Sequence, residues 1–284
     1  MNIFIAENAG FCFGVKRAVE IAYNEIIKNS DNNIYSLGEL IHNPQVVEDL
    51  SEKGVKHIEE IDIEKLKPGD KIIIRTHGIS KLLYNRLKEK NVKIIDVTCP
   101  FVKKVQDIVN DYHLKGYNII IIGDKTHPEV QGVNGWCDNS AYVVNSIDEA
   151  LNISEIEKGC VVAQTTITEE MWQNIISILN NKIKEPVYFN TICDATQKRQ
   201  KAAYELSQKV DTIIVIGGKN SSNTQKLKKI CEKNCNKTYH IEKLEEINYN
   251  MIKDSNNIGI TAGASTPDYL IDEVVSKIKL LRKD

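Results

Sequence analysis

Two hydrophobic periods alternate along this chain. Short apolar runs at 3–6, 34–37, 71–75, 92–95, 118–122, 142–144, 161–163, 187–189, 212–216, 238–241 and 258–261 read as strands. Between them, apolar residues recur every three or four positions over stretches such as 15–27, 82–90, 102–115, 171–183, 195–209 and 269–281, the period of an amphipathic helix. Strand and helix in alternation predict βαβ units with largely parallel sheets, an α/β fold. No Pro/Gly/Ser-rich linker divides the chain, and 65–70 and 248–257 read as surface connections.

An internal repeat refines this picture. Three segments run from an apolar strand to a cysteine and then into a helix, at Cys12, Cys99 and Cys193, spaced by 87 and 94 residues. At 28–30 residues beyond each cysteine a strand ends in a polar loop: His42-Asn43-Pro44, His127-Pro128-Glu129 and Ser221-Ser222-Asn223. At 65–72 residues beyond, a second strand ends in Thr76-His77-Gly78, Gln164-Thr165-Thr166 and Ala264-Ser265-Thr266. The third copy lacks a last strand, which the N-terminal segment 2–6 can provide. The expectation is three similar α/β modules, 13–98, 99–192 and 1–12 joined with 193–284, in a pseudo-threefold arrangement. An ordinary doubly wound fold is the alternative. In parallel α/β sheets the functional crevice lies beyond the carboxyl ends of the strands, where these loops fall.

Composition narrows the function classes. Of 284 residues, 42% are hydrophobic and 27% charged, a globular balance, and the net charge of −2 gives no argument for a nucleic-acid binder, which usually shows a basic face. No apolar run reaches the roughly 20 residues of a membrane span. The N-terminus lacks a basic segment followed by an apolar stretch, so a cytoplasmic protein is expected. Seven cysteines are too sparse for a disulfide framework.

The repeat separates the cysteines by chemistry. Cys137, Cys160, Cys231 and Cys235 read as buried small hydrophobes. Cys12, Cys99 and Cys193 share one repeat position. Three thiolates with an open fourth place suit either a tetrahedral zinc or an iron–sulfur cubane with one iron lacking a protein ligand. His42, His77 and His127 read as convergent ligands or anion donors, whereas His57, His113 and His240 read as surface or packing residues. Ser221, Ser222, Asn223 and Ser265 offer donors at helix starts, suited to phosphate, or serve as N-caps. Glu129 is either a proton donor in a desolvated pocket or a first-turn acid. Thr165 and Thr166 are strand-end hydroxyls or substrate donors.

At these residues the chain resembles a known family. The segments AGFCFGVKRAV, GELIHNPQVV, RTHGIS, DVTCPFVKKV, GDKTHPEVQGVNGW, AQTTIT, TICDATQKRQ, GGKNSSNT and TAGASTPD, in this order, are similar to those of the LytB/IspH family of 4-hydroxy-3-methylbut-2-enyl diphosphate reductases. Gln106 departs from the pattern, since many relatives carry histidine there. The resemblance implies three α/β modules around a central 4Fe–4S cluster held by Cys12, Cys99 and Cys193, with one open iron that binds the substrate hydroxyl. It implies a two-electron, two-proton reductive dehydroxylation of an allylic diphosphate to isopentenyl and dimethylallyl diphosphates, the last step of the non-mevalonate pathway. It implies that His42, His77, His127, Ser221, Ser222, Asn223 and Ser265 hold the diphosphate. It implies that Glu129 supplies protons, aided by His127, and that Thr165, with Thr166 beside it, orients the hydroxyl. It also implies ferredoxin or flavodoxin as electron donor.

Overall fold

Runs of β-branched residues build the centre of each sheet. Lys71–Ile74, Asn118–Ile122 and Thr212–Ile216 are almost entirely buried, as expected of strands covered on both faces. The computed structural model describes residues 2–28 and 33–282. Among them are strands β1 (Asn2–Ile5), β2 (Ile34–Leu37), β3 (Val55–Ile58), β4 (Lys71–Ile74), β5 (Lys93–Asp96) and β6 (Asn118–Ile122). The rest are β7 (Tyr142–Val144), β8 (Ile156–Ala163), β9 (Ile183–Tyr188), β10 (Thr212–Ile216), β11 (Thr238–Ile241) and β12 (Asn257–Ala262). The α-helices are α1 (Phe13–Ile27), α2 (Pro44–Glu52), α3 (Lys81–Glu89), α4 (Pro100–Leu114), α5 (Pro128–Asn134), α6 (Ile147–Leu151), α7 (Glu169–Leu179), α8 (Asp194–Ser207), α9 (Ser222–Glu232) and α10 (Asp268–Leu281). No helix of these residues is long and apolar enough to cross a membrane.

Among the described residues all strand pairs are parallel, in three four-stranded sheets ordered β3-β2-β4-β5, β7-β6-β8-β9 and β11-β10-β12-β1. Each sheet therefore follows one rule: second strand, first strand, third strand, fourth strand. In the last sheet the fourth place is taken by β1, which pairs Asn2 with Asn257 through Ile5 with Ile260. The expected completion of the third copy by the N-terminal strand is what the structure has.

The chain divides into two compact units. The first comprises Met1–Val15, His42–Pro44 and Asp194–Asp284 and contains the β11-β10-β12-β1 sheet. The second comprises Lys16–Ile41 and Gln45–Cys193 and contains the other two. Within each sheet, alternate side chains feed opposite layers. Ile120, Ile122 and Val161 pack on α7 through Trp172, Ile175 and Leu179. Their neighbours Ile119, Ile121 and Val162 pack on α4 and α5 through Val102, Val105, Val109, Val130 and Val133. In the first unit, Ile214, Ile216, Ile258 and Ile260 meet Leu270, Val274 and Ile278 of α10. Ile213 and Val215 meet Ala203, Leu227 and Cys231 of α8 and α9 on the other face. Each such isoleucine contributes about 1.5–3 kcal/mol on burial. The helix expected over 171–183 is shorter: α7 stops at Leu179, and Ile183 already begins β9.

Candidate active site

The repeated topology puts the candidate side chains at matching places. His42, His127 and Ser221 each lie five residues past the end of their sheet's first strand, β2, β6 and β10. His77, Thr166 and Ser265 each lie three residues past the third, β4, β8 and β12. Cys99, Cys193 and Cys12 follow the fourth, β5, β9 and β1. Each cysteine amide donates to the carbonyl of the loop after the third strand: Cys99 to Thr76 (3.0 Å), Cys193 to Thr165 (3.0 Å) and Cys12 to Ala264 (3.1 Å). One backbone bond thus fixes each cysteine in the same relation to its own sheet.

The thiols sort the same way. None of the seven cysteines is in a disulfide; Cys12, Cys99 and Cys193 are half-buried, and the other four are buried. Burial pushes the Cys137 thiol up to about 11 and those of Cys160 and Cys231 up to about 12, which keeps them neutral and inert. The three matched cysteines are accessible, soft donors at loop positions, which fits thiolate ligation of an iron–sulfur cluster.

In the second unit, His127 caps α5. Its Nδ1 accepts from the Glu129 amide at 3.1 Å, so in the neutral ring Nε2 carries the proton. Glu129 follows in the first turn and is only 3% exposed. Its Oε1 accepts from the Thr165 amide at 2.6 Å and its Oε2 from the Thr165 hydroxyl at 2.7 Å. The second bond is a direct route for a proton between carboxyl and hydroxyl. The His77 ring stands edge-on to that of His127, with centroids 5.4 Å apart.

Several supporting residues carried no signal in the pattern of apolar positions. Gln164 is buried; its oxygen accepts from the Asp124 amide at 3.0 Å and its amide donates to Thr166 Oγ1 at 3.2 Å. It joins the two loops that carry Glu129 and Thr165. Gln106 and Trp136 both donate to the Ile79 carbonyl, at 3.3 and 3.0 Å, and so anchor the chain just beyond His77. Gln164 stands in one of the matched strand-end loops, Gln106 is a polar residue on an otherwise apolar helical face, and Trp136 ends the segment GDKTHPEVQGVNGW.

In the first unit, Ser221 caps α9, its Oγ accepting from the Thr224 amide at 3.3 Å. Ser222 Oγ accepts from Lys226 Nζ at 2.9 Å. Asn223 is 4% exposed, and among the described residues neither its amide nitrogen nor its oxygen has a hydrogen-bond partner. Ser265 Oγ donates to the His42 carbonyl at 2.9 Å. Gly218 approaches the same carbonyl so closely that a Cβ would lie 2.7 Å from its oxygen. The α9 N-terminus, with its dipole and a buried amide beside it, is a setting for an anionic group.

The remaining histidines lie elsewhere. His57 pairs with Glu59 (2.8 Å) and His113 with Asp138 (3.3 Å), while His240 bonds the Gly217 carbonyl (2.8 Å).

Comparison with known proteins gives one family. The model of the family described as LytB protein matches residues 3–279. The chain is 65% identical over 282 residues to the 4-hydroxy-3-methylbut-2-enyl diphosphate reductase of Caldanaerobacter subterraneus subsp. tengcongensis, covering 99% of this chain and 98% of the relative. It is 50% identical over 283 residues to that of Clostridioides difficile, covering 99% and 100%. Among solved structures it is similar to an (E)-4-hydroxy-3-methyl-but-2-enyl diphosphate reductase, the terminal enzyme of the non-mevalonate pathway. There the TM-score is 0.70 and the identity 42%, over 99% of this chain and all of that one. It is also similar to the E-1-hydroxy-2-methyl-but-2-enyl-4-diphosphate reductase of Plasmodium falciparum, with a TM-score of 0.86 and 29% identity over 99% and 87%.

Proposed function

The chain belongs to the LytB family, and from that membership we propose that it is an oxidoreductase acting on 4-hydroxy-3-methylbut-2-enyl diphosphate. The reaction takes up two electrons and two protons, breaks the allylic C–O bond and releases water with isopentenyl or dimethylallyl diphosphate. The observation that carries this reading is the recurrence of one half-buried cysteine, tied by one amide bond, after the fourth strand of each sheet. Cys12, Cys99 and Cys193 are in this reading the ligands of a 4Fe–4S cluster. When bound, such a cluster supplies electrons and an iron with an open position, a Lewis acid for the departing hydroxyl.

The chain's own residues do the rest. Ser221, Asn223, Ser265 and the α9 N-terminus hold the diphosphate with neutral donors, helped by His42, His77 and His127, with Ser222 at the same helix start. Holding that tail spends binding energy on placing the hydroxyl end. His127, with its proton on Nε2, donates rather than accepts. Thr165, with Thr166 next to it, orients the hydroxyl and passes on its own proton, and Glu129 in its protonated form replaces that proton across the same hydrogen bond. Ferredoxin or flavodoxin is the donor class this family reading brings.

The test is anaerobic turnover of the diphosphate with reduced methyl viologen, with iron measured on the same sample. Viologen oxidation that depends on the diphosphate and yields both five-carbon products is the expected result. Glu129→Gln should retain iron and lose turnover by about 10²–10⁴-fold. No turnover in wild-type protein with about four irons per chain would overturn the reductase reading.

A further inference from the structure

The three cysteine loops are not held alike. Cys99 comes three residues after β5, Cys193 five after β9, and Cys12 seven after β1. The two shorter loops are fastened by their own side chains. Asp96 accepts from the Thr98 amide at 3.0 Å ahead of Cys99. Ahead of Cys193, Asn190 accepts from the Ile192 amide at 3.2 Å, and Thr191 exchanges bonds with the Ala163 backbone at 2.6 and 2.8 Å. The Cys12 loop, the longest, has two left-handed residues, Asn8 (φ 59°) and Gly10 (φ 93°). It draws on a side chain 189 residues away in sequence: Arg199 Nη2 donates to the Gly10 carbonyl at 2.8 Å.

Arg199 lies on α8 and is 2% exposed. Its Nη1 donates to the Ala195 carbonyl, one turn back on its own helix, at 3.1 Å. A buried guanidinium is costly unless its N–H groups are satisfied, and its planar fork bridges two acceptors at once. Gly10 is confined at its Cα as well, since a Cβ there would lie 2.6 Å from Asp268 Oδ1. Two residues on, the Cys12 amide closes the loop onto Ala264. The loop is therefore pinned at Gly10 by α8 and at Cys12 by the strand-end loop of β12.

We infer that Arg199 is a positioning residue for Cys12: by locking the Gly10 carbonyl to α8 it holds the Cys12 thiol in its ligating place. The consequence for the cluster rests on the reading of Cys12 as a ligand. The lock itself does not.

The test uses the full chain, prepared anaerobically, as wild type, Arg199→Met and Arg199→Lys. Hydrogen–deuterium exchange by mass spectrometry follows the segments around Cys12, Cys99 and Cys193, and chelator-driven iron release is measured in parallel. In Arg199→Met, exchange at residues 7–12 should speed up at least tenfold, with the segments around Cys99 and Cys193 unchanged. Iron release should speed up by a similar factor. Arg199→Lys keeps a charged donor but not the fork and should fall between, a rescue that a volume-filling role would not show. Unchanged exchange at 7–12, or equal acceleration in all three segments, would overturn the lock. A loosened 7–12 segment with wild-type iron retention would support the lock and overturn its link to the cluster.

Discussion

The side-chain amide of Asn223 is buried with no partner on either end among the described residues. Each such group costs about 1–3 kcal/mol when left unsatisfied. A residue kept for stability alone would not be built this way, whereas one that meets a diphosphate oxygen would. Asn223→Leu should therefore raise the stability of the ligand-free chain, by about 1 kcal/mol, and weaken diphosphate binding at least tenfold. Chemical denaturation and a substrate titration check the two halves; lower stability with unchanged affinity would assign Asn223 to packing. The buried thiols make an opposite kind of residue, inert by design. The Cys137, Cys160 and Cys231 thiols are pushed up by burial to about 11, 12 and 12, so the folded state keeps protons that the unfolded chain loses near pH 9. Their contribution to stability is thus full below about pH 9 and is lost as pH rises toward the folded values, by up to about 1.4 kcal/mol per pH unit for each thiol. Cys160→Ala should reduce the fall in stability between pH 9 and 11 by about that slope, read from urea midpoints across the range. An unchanged slope would mean that Cys160 ionises alike in both states.

At the scale of elements, the strand-end glycines decide how near α9 sits to its sheet. A Cβ on Gly263 would lie 2.2 Å from Thr224 Oγ1, and Thr224 itself is fully buried in the first turn of α9. Gly263→Ala should therefore push out the turn that carries the Ser221 cap and Asn223, costing about 1–3 kcal/mol and diphosphate affinity together. Thr224→Ala removes the opposing oxygen, so the double variant should regain stability relative to Gly263→Ala alone; additive losses in a double-mutant cycle would exclude this contact as the cause. Such contacts were not legible in the sequence, because they pair residues far apart in the chain. What was legible is what repeats locally. Isoleucine and valine runs marked the central strands, and the spacing of Cys12, Cys99 and Cys193 marked three equivalent strand ends. The edges read less well. β3 is Val55-Lys56-His57-Ile58, half polar and paired only with β2, so its hydrophobic signal is weak. β9 begins at Ile183 and contains Pro186, tolerated because β9 is an edge strand. With Leu179 four positions before Ile183, the same stretch mimics a longer helix. The side chains that steady the candidate site, Gln106, Gln164 and Arg199, are single polar residues among helix or strand-end neighbours. Their roles come from the carbonyls and amides they reach, which no periodicity records.

At the scale of the whole molecule, the three sheets share a topology but not a sequence span. In the β3-β2-β4-β5 sheet the central pair joins Ile34 to Lys71, 37 positions apart. In the sheet of the first unit, β1 meets β12 with Asn2 opposite Asn257, 255 positions apart. Loop-closure entropy grows as (3/2)RT ln n, so the second pairing costs about 2 kcal/mol more to bring together before any contact rewards it. Long-range parallel pairing of this kind is slow. The first unit should therefore complete its sheet after the second unit has formed its own. Both tryptophans, Trp136 and Trp172, belong to the second unit, so selectively excited tryptophan fluorescence during refolding probes side chains of that unit. Pulsed hydrogen exchange should find amides of β4, β6 and β8 protected by the time the fluorescence change is complete, with those of β1 and β12 protected later. Protection of β1 together with β6 would show that closure of the longest pairing is not the late step. Because Cys12 follows β1, the same ordering makes its loop the last of the three cysteine positions to be set, and iron loading of refolding chains should track β1 protection rather than tryptophan fluorescence.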